Sequence, residues 1–200
     1  MSRPEANRRR GFTLIENLVA ISILSVGLMS LAALMSKMSS TTVQSSYMST
    51  AALLASEKLE DLNRYPATDP AIAVTSGSTA GSLTSDLTQS VTVGAVTETV
   101  DYFDQVQMSV GSGSIAETVS GKDSSGNPQY TTITNASDGT VNTVAASTAP
   151  ASAPDTLTFK RRWVIEKNTP VSGVRRVTVL VTLTNPPGLP VSFQTSMVRP

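Results

Sequence analysis

Glu16 is the residue in this chain whose placement most demands a chemical reason. It stands at the start of an apolar run, with Leu14 and Ile15 before it and Leu18 to Met35 after it, and behind it lie Gly11 and the basic cluster Arg8-Arg9-Arg10. A charged side chain at the centre of a membrane helix costs about 2.5 to 3.5 kcal/mol on insertion scales; nearer the interface the cost is smaller but still unfavourable without a partner. The chemistry open to Glu16 is therefore charge pairing. Asp101, Asp104 and Glu117 could be imagined as calcium ligands, but their spacing matches no EF-hand loop, and they read as solvated carboxylates at strand edges. The chain has neither cysteine nor histidine. That removes Cys and His nucleophiles, Ser-His-Asp triads and zinc sites built on Cys or His, so no catalytic residue, cofactor site or metal site is expected, and the chain is read as a non-enzyme.

The run from Leu18 to Met35 is close to the roughly 20 helical residues that cross a hydrocarbon core of about 30 Å. A secretory signal peptide would place a small-residue cleavage motif after its apolar region. Here Gly11 precedes that region and nothing like A-x-A follows it, so any cut lies on the cytoplasmic side. Arg3, Arg8, Arg9 and Arg10 then act as a topology signal that keeps the amino terminus cytoplasmic, rather than as a nucleic-acid patch. The whole chain balances 15 basic against 15 acidic residues, and removing residues 1–11, with four arginines and one glutamate, leaves an acidic excess.

Helical character continues through residues 36–65 until Pro66 stops it. Met48, Ala52, Ala55, Leu59 and Leu62 recur at three- and four-residue steps, and Glu60 precedes Arg64 by four, which predicts an amphipathic extension of the membrane helix. Residues 67–154 are rich in Ser, Thr and Gly, with weak strands expected over Ser90–Val93, Thr97–Phe103, Gln105–Val110 and Gln129–Thr134. Gly121 to Pro128 and Ala145 to Pro154 read as loops. In residues 155–200, Leu157, Phe159, Trp163 and Ile165 alternate with polar neighbours, as do Val177, Val179, Val181 and Leu183. A third strand follows Pro186-Pro187-Gly188. Trp163 belongs to the core of this meander, and Arg161, Arg162, Arg175 and Arg176 to a solvated strand surface and turn. The expected fold is α+β, a long N-terminal helix whose second half packs on a small C-terminal antiparallel sheet.

Glycine, aromatic, short polar residue, two aliphatics and glutamate, in the order Gly11-Phe12-Thr13-Leu14-Ile15-Glu16, resemble the prepilin signature of type IV pilins and type II secretion pseudopilins. The resemblance implies a leader of residues 1–11, a transmembrane and assembly helix from residue 12 to 35, cleavage between Gly11 and Phe12 by a prepilin peptidase, and N-methylation of Phe12. Glu16 takes the family's acidic fifth mature position, which serves assembly. Leu18-Val19-Ala20 and Gly27 to Leu34, together with Arg161 to Ile165 and Val174 to Thr184, are similar to the minor pilins of the PilV type. Asn17 stands where an aliphatic residue is usual, and the disulfide pair of many pilins is missing. The implied function is that of a minor pilin, assembled into or priming a fibre. Its implied partners are other pilin subunits, the peptidase, the inner-membrane assembly platform and the membrane, and nucleic acid is not expected. The precursor would span the inner membrane once, with its later part periplasmic and then in the fibre. Two alternatives are a minor pseudopilin of a type II secretion or DNA-uptake system and a membrane-tethered surface-binding module.

Overall fold

A computed structural model describes residues 13–109, 111–152 and 155–200. The chain is α+β, and the described residues hold a helix α1 (Leu14–Arg64) followed by ten strands. It divides into two compact units, Met1–Val43 and Gln44–Pro200.

In the first unit the stretch of α1 from Leu14 to Met35 is apolar on all sides. Its large side chains are exposed, from 49% at Val19 to 83% at Leu14, the pattern of a helix that meets lipid or other helices rather than water. Three serines in this stretch satisfy their hydroxyls within the helix. Ser22 donates to the Leu18 carbonyl (2.9 Å), Ser25 to that of Ser22 (2.8 Å) and Ser30 to that of Val26 (2.9 Å), which removes the cost of an unmet hydroxyl in hydrocarbon. The helix runs unbroken through Gly27.

In the second unit the last turns of α1 pack on a sheet through Ala51, Leu54, Ala55, Lys58, Leu59 and Leu62. The buried stripe thus takes in Ala51, Leu54 and Lys58, while Ala52, expected on it, is only half-buried. Pro66 lies just beyond the helix end. Arg199 donates to the carbonyls of Leu62 (3.1 Å), Asn63 (3.3 Å) and Tyr65 (2.9 Å), a cationic cap where orphan carbonyls and the helix dipole favour one.

The strands are β1 (Thr79–Gly81), β2 (Thr88–Val93), β3 (Val96–Asp101), β4 (Phe103–Ser109), β5 (Ile115–Lys122), β6 (Pro128–Asn135), β7 (Val141–Ala146), β8 (Thr156–Lys167), β9 (Arg175–Asn185) and β10 (Ser192–Arg199). Eight form one antiparallel sheet in the order β10-β9-β8-β4-β5-β6-β7, with β1 paired to β8 beyond the reach of β4; β2 and β3 form a separate hairpin. The C-terminal meander is therefore part of a larger sheet, because β4 adds to the free edge of β8 and brings β5 to β7 with it. Gly121 to Pro128 is shorter as a loop than expected. Lys122 pairs with Pro128 in the ladder, and the turn between them is held by Asp123, whose carboxylate accepts from the amides of Ser125 (2.8 Å) and Asn127 (2.9 Å).

Phe159, Trp163 and Ile165 of β8 and Val177, Val179 and Val181 of β9 are buried beneath the helix. Trp163 is 5% exposed, lies 6.5 Å from the Tyr102 ring centroid and carries Lys58 Nζ at 4.5 Å over its face. Gly81 fits here because it lacks a side chain: at φ +87° a Cβ would fall 2.8 Å from Tyr102 Cδ1 and against the Trp163 carbonyl. Trp163→Ala is expected to lower stability by about 3 to 5 kcal/mol. Thermal unfolding followed by circular dichroism checks this; an unchanged melting temperature would show that the ring does not support the core.

Candidate functional site

Glu16 sits in the first turn of α1, where Thr13 precedes the helix. The Glu16 amide donates to Thr13 Oγ1 (3.3 Å), and Glu16 Oε2 lies 3.5 Å from the Thr13 amide nitrogen. This is the reciprocal geometry of a capping box, Thr-x-x-Glu, with the Glu16 amide shared between Thr13 Oγ1 and the Thr13 carbonyl (3.1 Å). It also places a carboxylate at the positive end of the helix dipole. The spacing of Thr13 to Glu16 ahead of an apolar run is the sequence signal of this cap. Gly11 and Phe12 lie outside the described residues. The Glu16 carboxylate is turned back toward Thr13 at the start of the helix.

A second polar constellation lies under the last turns of α1. Arg161, 1% exposed, reaches from β8 to Asp104 on β4 with two parallel bonds, Nε to Oδ1 at 2.6 Å and Nη2 to Oδ2 at 2.8 Å. Its Nη2 also bonds Glu117 on β5, and its Nη1 lies 3.9 Å from Glu57 on the helix. Lys58, on the same helix, meets Asp104 at 3.0 Å and Asp61 at 3.4 Å. Burial alone would push the Arg161 pKa down, but the Asp104 charge and hydrogen bonds outweigh it and hold the guanidinium above its ordinary value. The cluster thus ties the helix to three strands.

The cluster corrects two expectations. Arg161 is not on a solvated surface, because period-two alternation from Phe159 to Trp163 puts residue 161 on the inner face. Asp104 is not a solvated edge carboxylate either; its side chain is fully buried, in phase with Val106. The other arginines are surface residues with specific partners. Arg162 pairs with Asp86 (2.8 Å), Arg175 donates to the Ala67 carbonyl (2.6 Å) and Arg176 pairs with Glu166 (2.5 Å). Among the described residues no group of three or more acidic side chains could hold a metal ion.

Residues 6–32 match the family described as Prokaryotic N-terminal methylation motif. Neither the curated proteins nor the solved structures contain a significant match to the chain. The motif supports a type IV pilin-like protein, of a pilus or a pseudopilus, and implies processing by a prepilin peptidase and assembly with other pilins in a membrane. With the apolar helix that follows, it fits a membrane-anchored precursor that spans the bilayer once.

Proposed function

We propose that this chain is a minor pilin of a type IV pilus system, cut between Gly11 and Phe12, N-methylated on Phe12, and assembled into a fibre or priming one. The observation that carries the reading is the junction of the methylation motif with a helix exposed and apolar on all sides from Leu14 to Met35. Such a surface needs lipid before assembly and other helices after it.

Glu16 supplies the specificity. Cleavage after Gly11 frees a cationic amine on Phe12, and a carboxylate one helical turn away on a neighbouring subunit is its natural counter-charge in an apolar bundle. The capping geometry keeps that carboxylate at the helix start instead of letting it extend along the apolar flank. The part from Gln44 onward has an eight-stranded sheet to display once the helix is buried among its neighbours.

Replacing Gly11 with a bulky residue, as in Gly11→Leu, is expected to abolish processing. The precursor would then accumulate in the inner membrane with its basic leader attached. Mass spectrometry of the membrane fraction checks this; a variant still cut before Phe12, or a wild-type chain that retains Met1, would contradict the reading.

A further inference from the structure

The sheet face turned away from α1 carries two adjoining clefts, the first of which also touches Asp104 of the buried ion cluster. One, of about 210 Å³, is lined by Asp86, Phe103, Gln105, Ser120, Tyr130 and Lys160, with Asp104, Thr118, Ala149 and Pro150 contributing to its wall. Its neighbour, of about 180 Å³, shares Phe103, Ser120 and Tyr130 and adds Thr88, Thr99, Asp101 and Lys122. Strand register produces this grouping: Gln105 of β4 faces both Lys160 of β8 and Thr118 of β5, and Ser120 of β5 faces Tyr130 of β6. Cross-strand partners share a face.

We propose that the two clefts are consecutive subsites for a neutral oligosaccharide, with Phe103 and Tyr130 as the ring-contacting walls. Each cleft is smaller than the roughly 300 to 1,000 Å³ of pockets that take drug-sized ligands, so each suits a single ring-sized unit. The charged side chains that line the first cleft are already paired. Lys160 Nζ is held by Asp86 at 2.6 Å, and Arg162 reaches the other oxygen of that carboxylate at 2.8 Å. Burial would raise the Asp86 pKa, but hydrogen bonds from Lys160 and Arg162 and their charges lower it below the ordinary carboxylate value. Asp104 contributes no free charge, since its carboxylate is taken by Arg161 and Lys58. The second cleft sets one anion, Asp101, against one cation, Lys122.

What remains for a ligand is the Tyr130 ring, the Phe103 ring with Lys160 Nζ 5.9 Å from its centroid, and groups that both donate and accept. The Gln105 amide nitrogen is buried with no partner. Because the terminal torsion of glutamine is broad and two-fold, the amide can turn to offer either its N–H or its carbonyl to a hydroxyl. Ser120 donates to Asp101 at 2.8 Å and keeps its oxygen as an acceptor. Sugar rings present a C–H face to an aromatic wall and hydroxyls at their edge, which matches this distribution.

The test uses the full chain in micelles of lauryldimethylamine oxide, a detergent with no sugar headgroup. Saturation-transfer NMR is recorded with lactose, cellobiose, maltose and diacetylchitobiose, and with sialyllactose as the anionic comparison. At least one neutral disaccharide should receive saturation at its ring C–H protons. Its Kd should rise by about tenfold or more, equivalent to 1.4 kcal/mol, in Tyr130→Ala and in Gln105→Leu. Trp163, the chain's one tryptophan, lies on the opposite sheet face, and unchanged emission certifies the fold of each variant. If Tyr130→Ala alters that emission, Gln105→Leu decides alone. No transfer to any of the four neutral sugars, transfer to sialyllactose alone, or equal affinity in the decisive variant would overturn the proposal. Processing at Gly11 and incorporation into fibres are separate readouts, so failure here leaves the assembly reading intact.

Discussion

Asp104→Ala is expected to destabilise the unit from Gln44 to Pro200 by about 3 to 5 kcal/mol, the usual cost of leaving buried charge without its partner. Two cations lose their shared anion at once. Arg161 would keep Glu117 and the distant Glu57, and Lys58 would keep Asp61, but neither replaces the bidentate contact at 2.6 and 2.8 Å. At about 2 to 4 °C per kcal/mol for a chain of this size, the melting temperature should fall by roughly 6 to 20 °C. The paired change Asp104→Leu with Arg161→Leu should recover a good part of the loss, since apolar replacement of a buried ion pair is often neutral or stabilising. Thermal unfolding of both variants measures this. A single variant as stable as the wild type would show that Lys58 and Arg161 find water or other partners there.

That cluster also shows where the sequence is informative and where it is not. Strict alternation along β8 makes the core positions of Phe159, Trp163 and Ile165 legible, and the same alternation places Arg161 among them. Its chemical type argued for the surface, and the period was the better guide. Asp104 was legible in the same way only once β4 had a register, because its neighbours Gln105 and Gln107 give no apolar contrast. The helix end at Arg64 follows from Pro66. By contrast, β5 and β7 carry almost no local signal. Every residue of Val141–Ala146 is exposed, so no buried face imposes a period on it. Ile115–Lys122 is composed largely of small or polar residues whose strand state is imposed by β4 and β6 on either side. Thr13 is legible in a different way, since the Thr-x-x-Glu spacing ahead of an apolar run is itself a helix-start signal.

The capping geometry gives Glu16 two possible contributions, and two substitutions separate them. Glu16→Ala removes both the cap and the charge. Glu16→Gln keeps a side chain able to complete a capping box and removes only the charge. Loss of a helix cap costs about 0.5 to 2 kcal/mol, whereas an uncompensated charge in an apolar bundle costs about 3 to 5 kcal/mol. Both variants should still be inserted and cut, because removing a carboxylate makes membrane residence easier. They should then accumulate as mature membrane protein and be depleted from sheared fibres by about a hundredfold or more, each 1.4 kcal/mol being tenfold. Glutamine should fare little better than alanine. Full rescue by glutamine would assign Glu16 to capping alone, and normal incorporation of both would remove it from assembly altogether.

The most direct measurement is mass spectrometry of the chain recovered from sheared, purified fibres of the wild-type cell. Assembly as a processed subunit predicts an N-terminal peptide that begins at N-methylated Phe12, in fibres free of inner-membrane markers. Fibres that lack the chain, while the membrane fraction holds all of it, would contradict the proposal and leave a tethered surface domain in its place.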